Sequence, residues 1–310
     1  MKKISNILLI LAGIILIIPA CSKQADMELV ELEDRIFENY LVANNISVEP
    51  TESGLYFIEE TEGTGISPVT GDYVLINYSL YTIVDDALIY STVKTTSERA
   101  GLYDSRILYG PNKFQVGQNL VGLDEGLTLM KEGGKAGLLF KSELGYGGAI
   151  KEPIDPYSSL YIEVELIEVI KDPAKSEYEK TIEYLTGFDI AAKADTTDTG
   201  IFYFGYEDGE GDSIKFGDYV TMAITGKLLD GRVFYQNDNY QVTVGSYEYD
   251  LTDGLNIGLT YMKQGGHSMI VVLYNKGFGE IGRNFYNYYV KTPIPPYSTL
   301  IYDVTIKSVN

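Results

Sequence analysis

Two stretches of this chain are written twice. GLDEGLTLMKEGG, starting at Gly122, returns 132 residues later as GLNIGLTYMKQGG, and PIDPYSSLYIEVEL, starting at Pro153, returns 140 residues later as PIPPYSTLIYDVTI. Gly54, Gly63, Gly65 and the run Gly71-Asp72-Tyr73-Val74 recur 146 residues on, at Gly200, Gly209, Gly211 and Gly217-Asp218-Tyr219-Val220. A period of this size is that of a whole domain, so the pattern predicts two homologous domains rather than a solenoid of small repeats. The length of 310 residues agrees, being too great for one core of ordinary size. The offsets differ because loops differ. The first copy has 18 more residues between Gly71 and Gly117 than the second has between Gly217 and Gly245. The second has eight more between Gly279 and Pro293, among them Phe285, Tyr286, Tyr288 and Tyr289. Those aromatics either pack on their own domain or mark a binding surface.

Each copy has a readable grammar. Leu123, Leu127 and Met130 fall at i, i+4 and i+7, one face of a two-turn helix, and Gly133-Gly134 follow where it must end. In the last strand Leu160, Ile162, Val164 and Leu166 alternate with Tyr161, Glu163 and Glu165, the pattern of a half-buried strand. Between helix and last strand lie Gly145-Tyr146-Gly147-Gly148 and Pro153-Ile154-Asp155-Pro156-Tyr157, which can continue neither helix nor central strand and predict an exposed loop. Each copy is preceded by a helix-prone stretch. Residues 26–45 place Leu29, Leu32, Ile36 and Tyr40 on one stripe, and residues 176–193 place Tyr178, Ile182, Leu185 and Phe188 similarly.

The N-terminus has a different character. Lys2-Lys3 precede an apolar run from Ile7 to Ile18, too short to span a bilayer and suited to an export signal. Cys21 is the only cysteine, which rules out a disulfide within the chain. Ile18-Pro19-Ala20-Cys21 resembles a bacterial lipoprotein box, with Pro19 where a small residue is usual; the resemblance implies lipidation of Cys21. Plain secretion with an unmodified cysteine is the alternative. The expectation is therefore an envelope lipoprotein held at the outer membrane, on its periplasmic face or at the cell surface. Asp26 and Glu28, soon after the cysteine, loosely resemble surface-export signals of some Bacteroidetes lipoproteins. The net charge of −20, with no basic patch, argues against nucleic-acid binding.

The order of Val121-Gly122-Leu123-Asp124-Glu125-Gly126-Leu127, then Leu144-Gly145-Tyr146-Gly147, then the proline loop running into the last strand, resembles the FKBP family of peptidyl-prolyl isomerases. The resemblance covers roughly residues 54–170 and 200–310. It implies an α+β fold of two tandem domains, each a twisted antiparallel β-sheet wrapped on one short helix. The chain then divides into a signal peptide (1–20), an anchor segment with leader helix (21–53), a first domain (54–170), a linker helix (171–199) and a degenerate second domain (200–310). The implied activity is cis–trans isomerisation of proline bonds in exported polypeptides, without a cofactor.

Residue by residue, the resemblance assigns to the first site the wall tyrosine Tyr78, the floor residue Leu123 in place of a tryptophan, and Tyr146 as donor to the peptide carbonyl. Tyr90, Phe114, Leu120, Ile154 and Ile162 complete that site. Ser91 stands in place of an acidic residue and Asn112 in place of an aromatic. In the second domain Ile224, Tyr235 and Phe278 replace the wall tyrosine, the acid and the loop tyrosine. Phe234, Leu255, Phe278, Ile294 and Tyr302 are expected to offer an apolar cleft that binds or scaffolds and isomerises poorly. The rest of the inventory points nowhere else. His267 is the only histidine and reads as structural, there is no cysteine pair for zinc, and no phosphate loop occurs. The competing class is a non-catalytic polypeptide-binding module in an envelope complex. Whether the cleft at Leu123 is open or filled by the long insertion would discriminate.

Overall fold

A computed structural model describes residues 24, 26–187, 200–246, 251–283 and 293–310. The leader up to Cys21, the end of the linker stretch including Phe188, and the aromatic loop from Phe285 to Tyr289 lie outside these residues. The chain divides into two compact units, and the division is discontinuous: the first comprises residues 1–103 and 115–169, the second residues 104–114 and 170–310. Among the described residues no helix is long and apolar enough to cross a membrane.

The first unit begins with helix α1 (residues 26–43). Strands β1 (Tyr56–Thr61), β2 (Tyr73–Thr82) and β3 (Ala87–Ser91) follow, then the short helix α2 (Lys94–Arg99) and strand β4 (Asn112–Gln115). Helix α3 (Val121–Leu129), β5 (Lys135–Phe140) and β6 (Leu160–Ile170) complete the first copy. The sheet is ordered β1-β5-β6-β2-β3, with β4 on β2. The second unit has α4 (Pro173–Thr186), β7 (Ile201–Glu207), β8 (Tyr219–Leu228), β9 (Val233–Thr243), α5 (Asp253–Leu259), β10 (His267–Val272) and β11 (Leu300–Val309). Its order, β7-β10-β11-β8-β9, repeats the first sheet position for position. One difference stands out. Where the second unit has a continuous eleven-residue edge strand β9, the first breaks it into β3 and β4, and the extra residues of the first copy lie in the break.

The repeated Gly-Asp pairs are turn chemistry. Gly71 and Gly217 have φ of +95° and +99°, a backbone that side chains with a Cβ rarely adopt. The Asp72 carboxylate accepts from Val69 N at 2.7 Å, and Asp218 repeats the bond from Lys215 N at 2.8 Å. Each pair closes the loop that launches β2 or β8.

Helix α3 lies on one sheet face through its glycines. A Cβ on Gly122 would stand 2.5 Å from the Phe140 ring, and one on Gly126 would stand 2.4 Å from Leu138 Cδ1. Leu138 and Phe140 are directly opposite Ile162 and Leu160 in the β5–β6 register, so all four share the face that α3 covers. Leu123, Leu127 and Met130 are buried as the spacing requires, and so are Leu160, Ile162, Val164 and Leu166. Gly126→Ala is therefore expected to destabilise the first unit by ~1–3 kcal/mol through overpacking, despite alanine's better helix propensity. Urea unfolding of the two proteins would check the sign.

The leader helices pack on the opposite faces with part of each apolar stripe, Ile36 and Tyr40 in α1 and Leu185 in α4. Phe37 of α1 is buried with Leu139 and Ile83. Leu29 and Leu32, expected on the inner stripe, are 40% and 43% exposed. In α4, Thr181 and Leu185 are buried and Tyr178 and Ile182 are largely exposed; α4 is no free linker, since Leu185 packs with Phe202, Phe204, Met269, Val271 and Ile301. The register of α1 follows a polar contact, described next.

Candidate functional site

In the first unit, two of the segments that carry expected residues approach Phe140. The α3 backbone at Gly122 rests on its ring, and the loop backbone at Gly145 approaches it from another side, with ideal Cβ distances of 3.5 Å to Phe140 and 3.1 Å to Leu160. Leu123 follows Gly122 on α3, and Tyr146 follows Gly145 on the loop. Ile162 and Ile154 are buried, at 1% and 4% exposure. Leu120 caps the start of α3 and is part-buried. The rings of Tyr78 on β2 and Tyr90 on β3 meet at a 38° tilt with centroids 5.5 Å apart. Tyr146 is part-buried, and Lys151 Nζ sits 5.8 Å from its ring centroid. Burial pushes its hydroxyl above the ordinary tyrosine value, so it remains an O–H donor at physiological pH.

Ser91 is used within the sheet. Ser91 is 1% exposed and bonds Ser79 Oγ at 2.9 Å, and its Oγ also accepts from Val93 N at 2.9 Å. It stabilises the edge of the sheet rather than offering a polar group to a ligand. Asn112 and Phe114 lie on β4, which pairs with β2, the strand that carries Tyr78.

The loop carrying Tyr146 and Ile154 is fastened by a residue that periodicity overlooks. Glu33 of α1 is 5% exposed. Its carboxylate accepts from Ser142 N at 2.6 Å, Ser142 Oγ at 2.7 Å and Ser159 Oγ at 2.6 Å. Ser142 opens the loop and Ser159 closes it, so one side chain holds both ends. This is also why α1 turns Glu33 and Phe37 inward and leaves Leu29 and Leu32 outside. The second unit uses the same place differently: Thr181 bonds Thr299 Oγ at 2.8 Å, and Glu177 accepts from Thr299 N at 2.8 Å. The sequence signal was present in the repeat, since Glu33-to-Phe37 and Thr181-to-Leu185 have the same spacing before equivalent strands.

In the second unit the expected residues also come together, but they are closed over. Phe234, Leu255, Ile294 and Tyr302 belong to one buried cluster, with Phe278 packed against it. Phe234 and Tyr302 meet edge to face at 5.8 Å, and the Arg283 guanidinium lies 4.8 Å from the Phe278 ring centroid. Ile224 is buried in the same cluster, opposite Val304 in register. Leu108, from the insertion of the first copy, is a further member and only 6% exposed. Side chains thus pack together where the sequence predicts an apolar cleft. His267 pairs with Asp303 at 3.1 Å across the sheet. Among the described residues no cluster of three histidine, cysteine or acidic groups could hold a metal ion.

Comparison with known proteins adds the lineage. The model of the FKBP-type peptidyl-prolyl cis-trans isomerase family matches residues 65–167 and 211–307. A probable FKBP-type peptidyl-prolyl cis-trans isomerase of Haemophilus influenzae is 35% identical over 144 residues, covering 46% of this chain and 55% of that protein. The FKBP-type 22 kDa peptidyl-prolyl cis-trans isomerase of Escherichia coli is 37% identical over 131 residues, covering 41% of this chain and 56% of that protein. The chain thus spans about half the length of these curated relatives. Among solved structures, that of FkpA from Escherichia coli is 24% identical with a TM-score of 0.40, covering 52% of this chain and 70% of that one. With two matched segments that together span well over half of the chain, in two units of the same sheet order, the chain belongs to the FKBP-type peptidyl-prolyl cis-trans isomerase family and carries its domain twice.

Proposed function

We propose that the first unit isomerises proline bonds in exported polypeptides, at the site formed by Tyr78, Tyr90, Leu120, Leu123, Tyr146, Ile154 and Ile162. The observation that supports this reading is the part-buried Tyr146 on a loop whose two ends are both bonded by Glu33. Rotation about the bond faces a barrier of ~18–20 kcal/mol set by amide resonance. No nucleophile or metal is required. An apolar surround favours the twisted amide, which has lost its resonance dipole, and a fixed donor on the carbonyl of the bound chain orients it. Uncatalysed isomerisation takes tens of seconds, slow enough to limit folding, which gives an envelope protein with this activity a purpose. Lipidation of Cys21 and attachment at the outer membrane complete the proposal; plain export is the alternative for that segment.

The test is NMR exchange on a panel of Xaa-Pro peptides with the whole chain and with Tyr146→Phe. The unmodified chain is expected to accelerate exchange, and Tyr146→Phe to lose about tenfold in kcat/KM, the worth of one hydrogen bond of ~1.4 kcal/mol. No acceleration by the folded chain for any residue before proline would overturn the reading. For the second unit, Phe278 in place of a hydroxyl donor favours a non-catalytic role.

A further inference from the structure

We infer that the cleft of the second unit is a receptor for the chain's own residues 104–114, with Leu108 as the anchoring side chain in place of a client. Four observations, all within that unit, carry this. Leu108 is 6% exposed and shares a buried cluster with Phe234, Leu255, Ile294 and Tyr302, the residues that the family pattern assigns to the cleft. Gly110 passes so close to Arg232, two residues before Phe234, that a Cβ there would stand 2.9 Å from Arg232 Cδ. Lys113 reaches Glu177 at 3.1 Å, and both side chains are nearly buried at 8% and 12% exposure. Glu177 in turn accepts from Thr299 N, beside the first residue of β11. The segment also holds its own shape. Asp104 N donates to the Tyr109 hydroxyl at 3.1 Å, Asp104 pairs with Arg106 at 2.7 Å, and Ile107 N bonds Asp104 O at 3.0 Å.

The sequence of the cleft fits such an occupant better than it fits a substrate. Phe278 has no hydroxyl to give a bound carbonyl, and the rings of Phe234 and Tyr302 offer carbon surface to a leucine side chain. The insertion that supplies the segment has no counterpart in the second copy, whose edge strand β9 is unbroken. A segment that is part of the same polypeptide acts at an effective concentration in the millimolar range, so free peptides must overcome that advantage to enter. The second unit is thus closed to weak polypeptide ligands unless residues 104–114 leave, independently of whether the first unit is catalytic.

The experiment uses a fluorescent peptide of residues 103–115, titrated into the whole chain, into Leu108→Asp and into the milder Leu108→Ala. The unmodified chain is expected to bind it at least ~100-fold more weakly than either variant, because the tethered copy holds the cleft. Hydrogen exchange should map the bound peptide to β9 and β11, and a peptide carrying Asp for Leu108 should not bind. In the unmodified chain, which needs no variant to fold, the amides of Ile107 to Gly110 should exchange far more slowly than in the free peptide. Equal peptide affinity for the unmodified chain and for folded variants would overturn the inference. So would amides 107–110 exchanging as fast as in free peptide.

Discussion

Replacing Glu33 by alanine is expected to lower the stability of the first unit by ~3–5 kcal/mol. The reasoning runs through the donors rather than the carboxylate. Ser142 N, Ser142 Oγ and Ser159 Oγ all point at a side chain that is 5% exposed, and alanine leaves them facing a gap. A buried donor left unmade costs ~1–3 kcal/mol, and the hydroxyls can recover part of that by rotating. Glu33→Gln separates charge from geometry. Its carbonyl oxygen accepts as before and its amide faces hydroxyls that can turn to accept, so the loss should be well under half. Thermal unfolding followed by circular dichroism would show a drop of ~6–20 °C for alanine. Peptide isomerisation should fall too, because the loop released at both ends is the one carrying Tyr146 and Ile154. A variant as stable as the unmodified chain would mean that water replaces the carboxylate without cost.

Glu177→Leu is the second large effect and acts on the other unit. Lys113 is left as an unpaired ammonium at 8% exposure, and Thr299 N loses its acceptor. Breaking a buried pair from one side costs ~3–5 kcal/mol, since the remaining charge keeps its desolvation penalty. The double variant Lys113→Met with Glu177→Leu removes both charges and is expected to recover most of the loss, as apolar replacements of buried ion pairs commonly do. Denaturant unfolding of the single and double variants forms a cycle whose coupling term isolates the pair. A coupling near zero would show that the contact is merely tolerated.

Much of the architecture was legible because it rests on short-range rules repeated twice. The Gly-Asp turns before β2 and β8, the face of α3 and the alternation of β6 each follow from residues within a few positions of one another. The family pattern then linked Tyr78, Leu123, Tyr146 and Ile162, which no short-range rule connects. What escaped was polar and long-range. Apolar periodicity took Leu29 and Leu32 for the inner side of α1, since it counts leucines and cannot foresee that Ser142 and Ser159, more than a hundred residues away, would draw Glu33 inward. Ser91 was read as a lost acid in the site, whereas an edge-strand bond to Ser79 sets its direction. Leu108 carried only a weak signal, an apolar Ile107-Leu108-Tyr109 in an otherwise polar insertion, with no second copy to compare it with.

The discontinuous division of the chain has a consequence for the order of events during synthesis. Leu108 leaves the ribosome 194 residues ahead of Tyr302, which at ~5–20 residues per second is roughly 10–40 s. Through that interval the first sheet can close while the segment between Tyr103 and Gln115 waits without its acceptor. The second unit therefore cannot finish as an independent downstream module. Its last strand arrives to a ligand already made, and a gene cut between the two repeats would yield a C-terminal half born with an empty seat.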